Sequence, residues 1–240
     1  MNKEKLLYEN SKHALQSDNI IAITNRHLCS RPFMEQLERV CKLRPHAIVL
    51  REKDMPEAKY LSLARDVIAL CKKYDVQCML HSFINVAMEL EHPYIHLPLP
   101  ILEAYVKKNV SGNIYTGMSK STDNYQQFFK VIGTSVHSVE DAIKAEQLGA
   151  TYMTAGHIFA TDCKKGLPPR GLDFLKNVCD AVGIPVYAIG GINIASSDDS
   201  TASDAPPAYD AMPDISVPRL ADVMKCGAAG GCIMSGMMRV

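Results

Sequence analysis

The stretch from Thr151 to Gly171, TYMTAGHIFATDCKKGLPPRG, decides how the rest of the chain is read. An apolar run, Tyr152 to Ala155, has the length of a buried strand and stops at Gly156, and the next residue is His157. Thr161, Asp162, Cys163, Lys164 and Lys165 follow, and a Gly/Pro-punctuated segment then leads into a helical pattern. A titratable ring at the end of a strand, followed by a cationic loop, is how an α/β barrel offers acid–base chemistry to a phosphorylated substrate.

Outward from this stretch, strand and helix patterns alternate. Strand readings fall at IIAITN (20–25), AIVL (47–50), VQCMLHS (76–82), YIHLPLP (94–100), VIGTSVHS (131–138), the 152–156 run, IPVYAIGGI (184–192) and AAGGCIMSG (228–236). Pro98 and Pro100 are expected to halt the fourth. Between strands, helices are predicted after Pro32 with Phe33, Leu37 and Val40 on one face, and over 58–73 with Leu61, Ala64, Val67, Ile68 and Cys71 inward. A short helix through Val86 and Leu90 follows. Residues 103–129 read as a helix, a long loop and a partial helix. Ser138 reads as the cap of a helix closed by Gly149, 171–183 as another helix, and 217–225 as one closed by Gly227.

Eight strands alternating with helices imply a parallel sheet closed as a (β/α)8 TIM barrel, a single domain over 1–240. After Gly236 only MMRV remains, too short for the last helix. Residues 1–18 read as an extra N-terminal helix, and that helix, a partner chain in a homo-oligomer, or both are expected to cover strand eight. Residues 195–214, ASSDDSTASDAPPAYDAMPD, are dominated by Ser, Asp, Ala and Pro and read as a disordered insertion, a floppy linker rather than a lid.

Composition narrows the function. At 240 residues, 47% hydrophobic and 22% charged, the chain can bury a sizeable core. Basic and acidic residues balance at 26 each, which argues against a nucleic-acid partner. No apolar run reaches the ~18 residues of a membrane span. The charged start lacks a signal-peptide core, so the expected location is cytoplasmic. The eight cysteines form no C-x-x-C pair and read as reduced, packed thiols.

In such a barrel the working residues sit at the C-terminal strand ends. Those ends include Thr24, Arg51, Lys53, His81, Ser82, His96, Ser135, His137, His157, Gly190, Gly191, Ser235 and Gly236. The Gly190–Gly191 and Ser235–Gly236 pairs, after the last two strands, fit a phosphate cradle made of backbone N–H groups. Arg51, Lys53 and Lys164 suit a carboxylate or phosphate. His81 and Ser135 join this set of substrate contacts. His96 and His137 lie in apolar strands and read as hydrogen-bonded structural histidines, whereas His157 reads as the base. Metal chemistry is weakly supported, because Mg²⁺ seeks a carboxylate or two beside substrate phosphates and the third and fourth strands end in His81, Ser82, Pro98 and Pro100.

Five segments together resemble the superfamily of thiamine phosphate synthase and its relative, the TenI-like thiazole tautomerase: VLREKD (49–54), SVHSVEDA (135–142), GHIFATDCKKGLPPRG (156–171), IPVYAIGGI (184–192) and CIMSG (232–236). Synthases typically have proline after the glycine at 156, whereas the tautomerase branch has histidine, as at His157. The synthase pattern also has glutamine where this chain has Val49, Asn-Asp where it has His81–Ser82, and a second metal-binding aspartate after strand four. The tautomerase branch usually has Asn-Gly at 81–82, so that corner departs from both. The resemblance implies an aromatising isomerase acting on a thiazole carboxylate phosphate, with His157 as base and then acid and no metal or organic cofactor. Two other readings stand beside it: a Mg²⁺-dependent thiamine phosphate synthase, and a non-catalytic barrel that binds a thiamine-related phosphate.

Overall fold

A computed structural model describes residues 18–111, 128–195 and 217–240. Its strands are β1 (Ile20–Ile23), β2 (Ala47–Leu50), β3 (Gln77–His81), β4 (Tyr94–Pro98), β5 (Val131–Val136), β6 (Tyr152–Gly156), β7 (Val186–Ile189) and β8 (Gly230–Ile233). They pair in parallel in sequence order, and β8 returns to β1 with Ala22 opposite Ile233, so the sheet closes as a barrel. The described helices are α1 (Phe33–Lys42), α2 (Glu57–Lys73), α3 (Ile84–Glu89), α4 (Leu99–Ser111), α5 (Val139–Gln147), α6 (Gly171–Ala181) and α7 (Leu220–Lys225). This is the expected (β/α)8 architecture.

Strands buried on both faces are apolar throughout, because alternate side chains enter two different cores. Ile21, Ile23, Ala47, Val49, Met79, Tyr152, Tyr187 and Cys232 fill the barrel interior. Their neighbours Ala22, Ile48, Leu50, Leu80 and Met153 pack outward against the helices. On α2 the buried stripe is Tyr60, Ala64, Val67 and Cys71, so it is centred one residue earlier than the Leu61-based reading. Ser138 caps α5 as expected, its Oγ accepting from the Asp141 N–H at 3.0 Å, and Gly149 closes the helix at φ 85°.

Gly133 shows how tightly the interior is filled. A Cβ there would lie 2.1 Å from the Tyr152 ring. Gly133→Ala is therefore expected to lower stability by about 1–3 kcal/mol, the usual cost of overpacking, measured by urea unfolding.

Two helices start away from where the sequence reading put them. Strand β4 ends at Pro98, as expected, but α4 begins directly after it at Leu99 rather than at about Glu103, with Pro100 in its first turn. The first helical turn tolerates proline because its N–H groups have no intrahelical acceptor anyway. The last helix begins at Leu220, not at Val217. After β8, Met237 and Met238 are buried, at 1% and 0% exposure. The chain end turns onto α1: the Val240 carbonyl accepts from Arg31 Nη1, from Gln36 Nε2 at 3.2 Å and from Arg39 Nε at 3.1 Å. Two methionines and this grip thus pack the residues after β8 against α1. The N-terminal helix, the 112–127 loop and nearly all of the 195–214 insertion lie outside the described residues.

Candidate active site

The C-terminal end of the barrel is built first from a buried carboxylate. Glu52, just after β2, is 2% exposed and accepts from Thr24 Oγ1 at 2.7 Å, from the Arg26 N–H at 3.1 and 3.2 Å, and from Arg26 Nη1 at 2.9 Å. A buried carboxylate needs such partners to stay charged. Arg26 continues to Asp54, where His27 also meets it at 3.0 Å, and these contacts hold the Asp54 carboxyl well below its ordinary range. The acids near β2 therefore tie the β1 and β2 loops together. Thr24 Oγ1 also accepts the Arg51 N–H at 2.9 Å, which fixes the main chain at that cation.

Three cations gather over the mouth. Burial first, then the charges of Arg51 and Lys164, lower the Lys53 ammonium below its usual pKa. Lys164 comes from a short 3₁₀ turn, Asp162–Lys164, in the β6–α6 loop, so residues remote in sequence converge. Beneath them lie imidazoles rather than carboxylates. His81 stacks on His96 at 5.7 Å. His96 bonds Tyr152 Oη and Ser135 Oγ, both at 2.9 Å, and Thr154 Oγ1 donates to Ser135 Oγ at 3.0 Å. Burial, then the charges of His96, Arg51 and Lys53, push the His81 pKa to about 2. Burial, then Arg51, takes His96 to about 3. Both rings are therefore neutral at ordinary pH.

His157 follows β6, half-buried, with its Nε2 3.4 Å from the Leu167 carbonyl oxygen. Its Cβ packs so closely on Gly190 that a side chain there would lie 2.4 Å away. Gly190 and Gly191 adopt φ 99° and 69°, conformations glycine takes without penalty, so both glycines let the β6 loop rest on the end of β7. Arg219 staples this junction, donating to the Gly191 carbonyl at 2.6 Å with its guanidinium 4.5 Å from the centre of the Phe159 ring. Ser235 Oγ donates to Asn193 Oδ1 at 3.1 Å. Among the described residues, the N–H groups of Gly191, Ser235 and Gly236 donate to no protein acceptor.

The structure thus brings Lys53 near Arg51 and Lys164, brings His81 near Arg51 and Lys53, and sets His157 beside Gly190 with Gly191 at the same junction. Ser135 is committed to the interior polar chain, as is His96. His137 bonds the Gly156 carbonyl at 2.8 Å. The roles of Glu52 and Tyr152 were not found from sequence, because their partners lie on other strands. The one local signal was a polar side chain inside an apolar run.

A divalent ion fits this donor set poorly. The ends of β3 and β4 carry no carboxylate, Glu52 is spent on Thr24 and Arg26, and Ser82 Oγ bonds His81 Nδ1 at 2.8 Å. Among the described residues no three His, Cys, Asp or Glu groups are placed to hold a metal. Among them, too, no helix is long and apolar enough to cross a membrane.

Fold and site together define a parallel TIM barrel with a cationic, imidazole-lined mouth. The family described as thiamine monophosphate synthase matches residues 20–208, and the chain belongs to that family, one of thiamine biosynthesis. A putative thiamine-phosphate synthase 2 of Aquifex aeolicus is 34% identical over 178 residues, covering 74% of this chain and 87% of the relative. A thiamine-phosphate synthase of Pyrococcus furiosus is 29% identical over 174 residues, covering 72% and 75%. A solved thiamine phosphate pyrophosphorylase from Pyrococcus furiosus shares the fold, with a TM-score of 0.64 at 24% identity over 94% of this chain and 89% of that one. The family expectation holds. The names of these relatives favour the synthase over the tautomerase that the sequence reading put first.

Proposed function

We propose that this chain holds a thiazole carboxylate phosphate in the barrel mouth and aromatises it by moving one proton. The observation that carries the reading is the gathering of Arg51 and Lys53 beside neutral imidazoles, with Lys164 near Lys53, where no carboxylate ends β3 or β4. Such a mouth suits a ligand that brings its own negative charge. In the step itself, a neutral His157 nitrogen takes the proton from the ring carbon bearing the carboxylate, and that C–H bond breaks. Its electron pair enters the ring π system, the exocyclic double bond opens, and the pair freed at the exocyclic carbon takes the proton back from the imidazolium, so nothing is oxidised or reduced. Gly191, Ser235 and Gly236 offer N–H groups to the phosphate, and the cations balance the remaining charge.

Adding the non-aromatic thiazole tautomer to purified protein in EDTA and following absorbance tests this directly. Catalysed aromatisation is the expected result, and a rate equal to the uncatalysed one overturns the reading. The relatives' names favour a second reading, a thiamine phosphate synthase. It requires pyrophosphate release from 4-amino-5-hydroxymethylpyrimidine pyrophosphate and thiazole phosphate, dependent on Mg²⁺. A chain that binds phosphate but performs neither reaction is the non-catalytic barrel.

A further inference from the structure

Of the cysteines whose side chains the structure describes, Cys41, Cys71, Cys78 and Cys232 are buried, whereas Cys29, Cys179 and Cys226 are half-buried. Cys29 lies in the loop after β1, with its Sγ 3.8 Å from Met238 Sδ. The other two share one place. Cys179 is in the last turn of α6 and Cys226 caps the C-terminus of α7, and these helices are neighbours on the barrel wall. Helices of such a barrel run back against its strands, so both thiols sit at the end opposite the mouth, where side chains bear on stability rather than on the site.

A glycine brings them together. Gly227 follows Cys226 and closes α7 in the left-handed conformation, at φ 92°, with its N–H on the Met224 carbonyl at 2.9 Å. A Cβ built on it would lie 3.3 Å from Cys179 Cβ and 3.9 Å from Cys179 Sγ. The two Cβ atoms of a disulfide are about 3.5–4.5 Å apart, so the backbone beside Cys226 already comes within bridging reach of Cys179. Cys226 Sγ donates to the Asp222 carbonyl at 3.5 Å, a weak bond that rotation of the side chain gives up. Burial first, and then Cys226, raises the Cys179 thiol to about 11. The Lys176 ammonium, paired with Asp180 at 2.8 Å, lies near both sulfurs.

We propose that Cys179 and Cys226 form a reversible oxidation site, a dithiol that a peroxide converts into a disulfide fastening α6 to α7. Cys179 holds its proton more firmly than an ordinary thiol, so Cys226 reacts first. Its thiolate attacks the peroxide O–O bond, which breaks to leave a sulfenic acid on Cys226 and one molecule of water. The Cys179 sulfur then gives up its proton and displaces hydroxide from the Cys226 sulfur, and the S–S bond forms. The two thiols lose two electrons and two protons, and the peroxide is reduced to two waters. The bridge closes a loop that contains β7 and the whole connection from it to α7, so it acts chiefly by constraining the unfolded chain. None of this draws on the chemistry at the mouth, and it stands or falls apart from the proposed function.

Peptide mapping of the full chain tests the proposal. The protein is reduced, desalted, treated with hydrogen peroxide, blocked with N-ethylmaleimide and digested without reductant. The expected product is a Cys179–Cys226 cross-link within one chain, which dithiothreitol removes, with fragmentation placing the bond at Cys226 rather than at Cys232. The bridged parent is expected to melt about 5–15 °C above the reduced one, the usual effect of closing a long loop in a domain of this size. Cys179→Ser and Cys226→Ser should each lose both the cross-link and the shift. The proposal falls if the cross-link is absent, if either cysteine pairs instead with Cys29, Cys163 or Cys232, if only chain-to-chain bridges form, or if the bridged and reduced proteins melt alike. Mapping and melting of the parent decide the matter even where a serine variant fails to fold.

Discussion

A His157→Asn chain is expected to aromatise the thiazole tautomer about 10²- to 10⁴-fold more slowly than the parent, the usual range for losing a positioned acid–base group. Asparagine keeps a polar side chain next to Gly190 but has no nitrogen that can accept and return a proton near neutral pH. Arg51, Lys53 and Lys164 are untouched by the change, so affinity for inorganic phosphate should stay close to that of the parent. The loss therefore falls on kcat rather than on KM. Single-turnover absorbance traces of the two proteins decide the matter. Equal rates would remove His157 from the reaction and move attention to the imidazoles inside the barrel.

Moving the protein from about pH 7 to about pH 5 should cost about 4 kcal/mol of stability through His81 and His96 together, at about 1.4 kcal/mol per pH unit for each fully titrating group. Both rings have folded pKa values of about 2 and about 3, against an ordinary value of 6.5. Below 6.5 the unfolded chain takes up protons that the folded chain refuses. Stability from these rings is thus complete above the ordinary pKa and falls with pH towards the folded values. Burial enforces this first in both rings, followed for His81 by the charges of His96 on β4 and of Arg51 and Lys53 after β2, and for His96 by Arg51. His92, buried and bonded to the Cys78 carbonyl at 2.9 Å, is shifted the same way and steepens the loss. Asp54 acts only at lower pH, since its folded pKa lies below the usual carboxylate range. Urea unfolding at three pH values between these limits measures the slope, and a flat profile would show that the interior rings can accept protons in the folded state.

The barrel was legible because parallel strands are apolar on both faces. Runs such as Ala47 to Leu50 and Tyr152 to Ala155 stand out without any periodicity, and Leu37 with Val40 marks a helix by spacing alone. Pro98 marked the end of β4 correctly, but the helix that begins around Pro100 was missed, because proline is read as a terminator rather than as a first-turn residue. The strand ends that carry His81, His157, Arg51 and Lys53 were also legible, since a polar residue after an apolar run is a local signal. Contacts between strands were not. Nothing near Glu52 in sequence announces that Thr24 and Arg26 bind it, and nothing near Lys164 announces Lys53. His81–Ser82 was visible as a departure from the family pattern. The bond between Ser82 Oγ and His81 Nδ1 depends on backbone angles no sequence motif displays.

Arg219, through its bond to the Gly191 carbonyl and its stacking on Phe159, joins the place where the chain departs after β7 to the place where it re-enters before α7. Those two points are fastened to each other by the folded barrel, whatever lies between them. Doubling the intervening length would add only about 0.6 kcal/mol of closure entropy. That connection can accordingly be lengthened or trimmed with the cylinder beneath it registering little of the change.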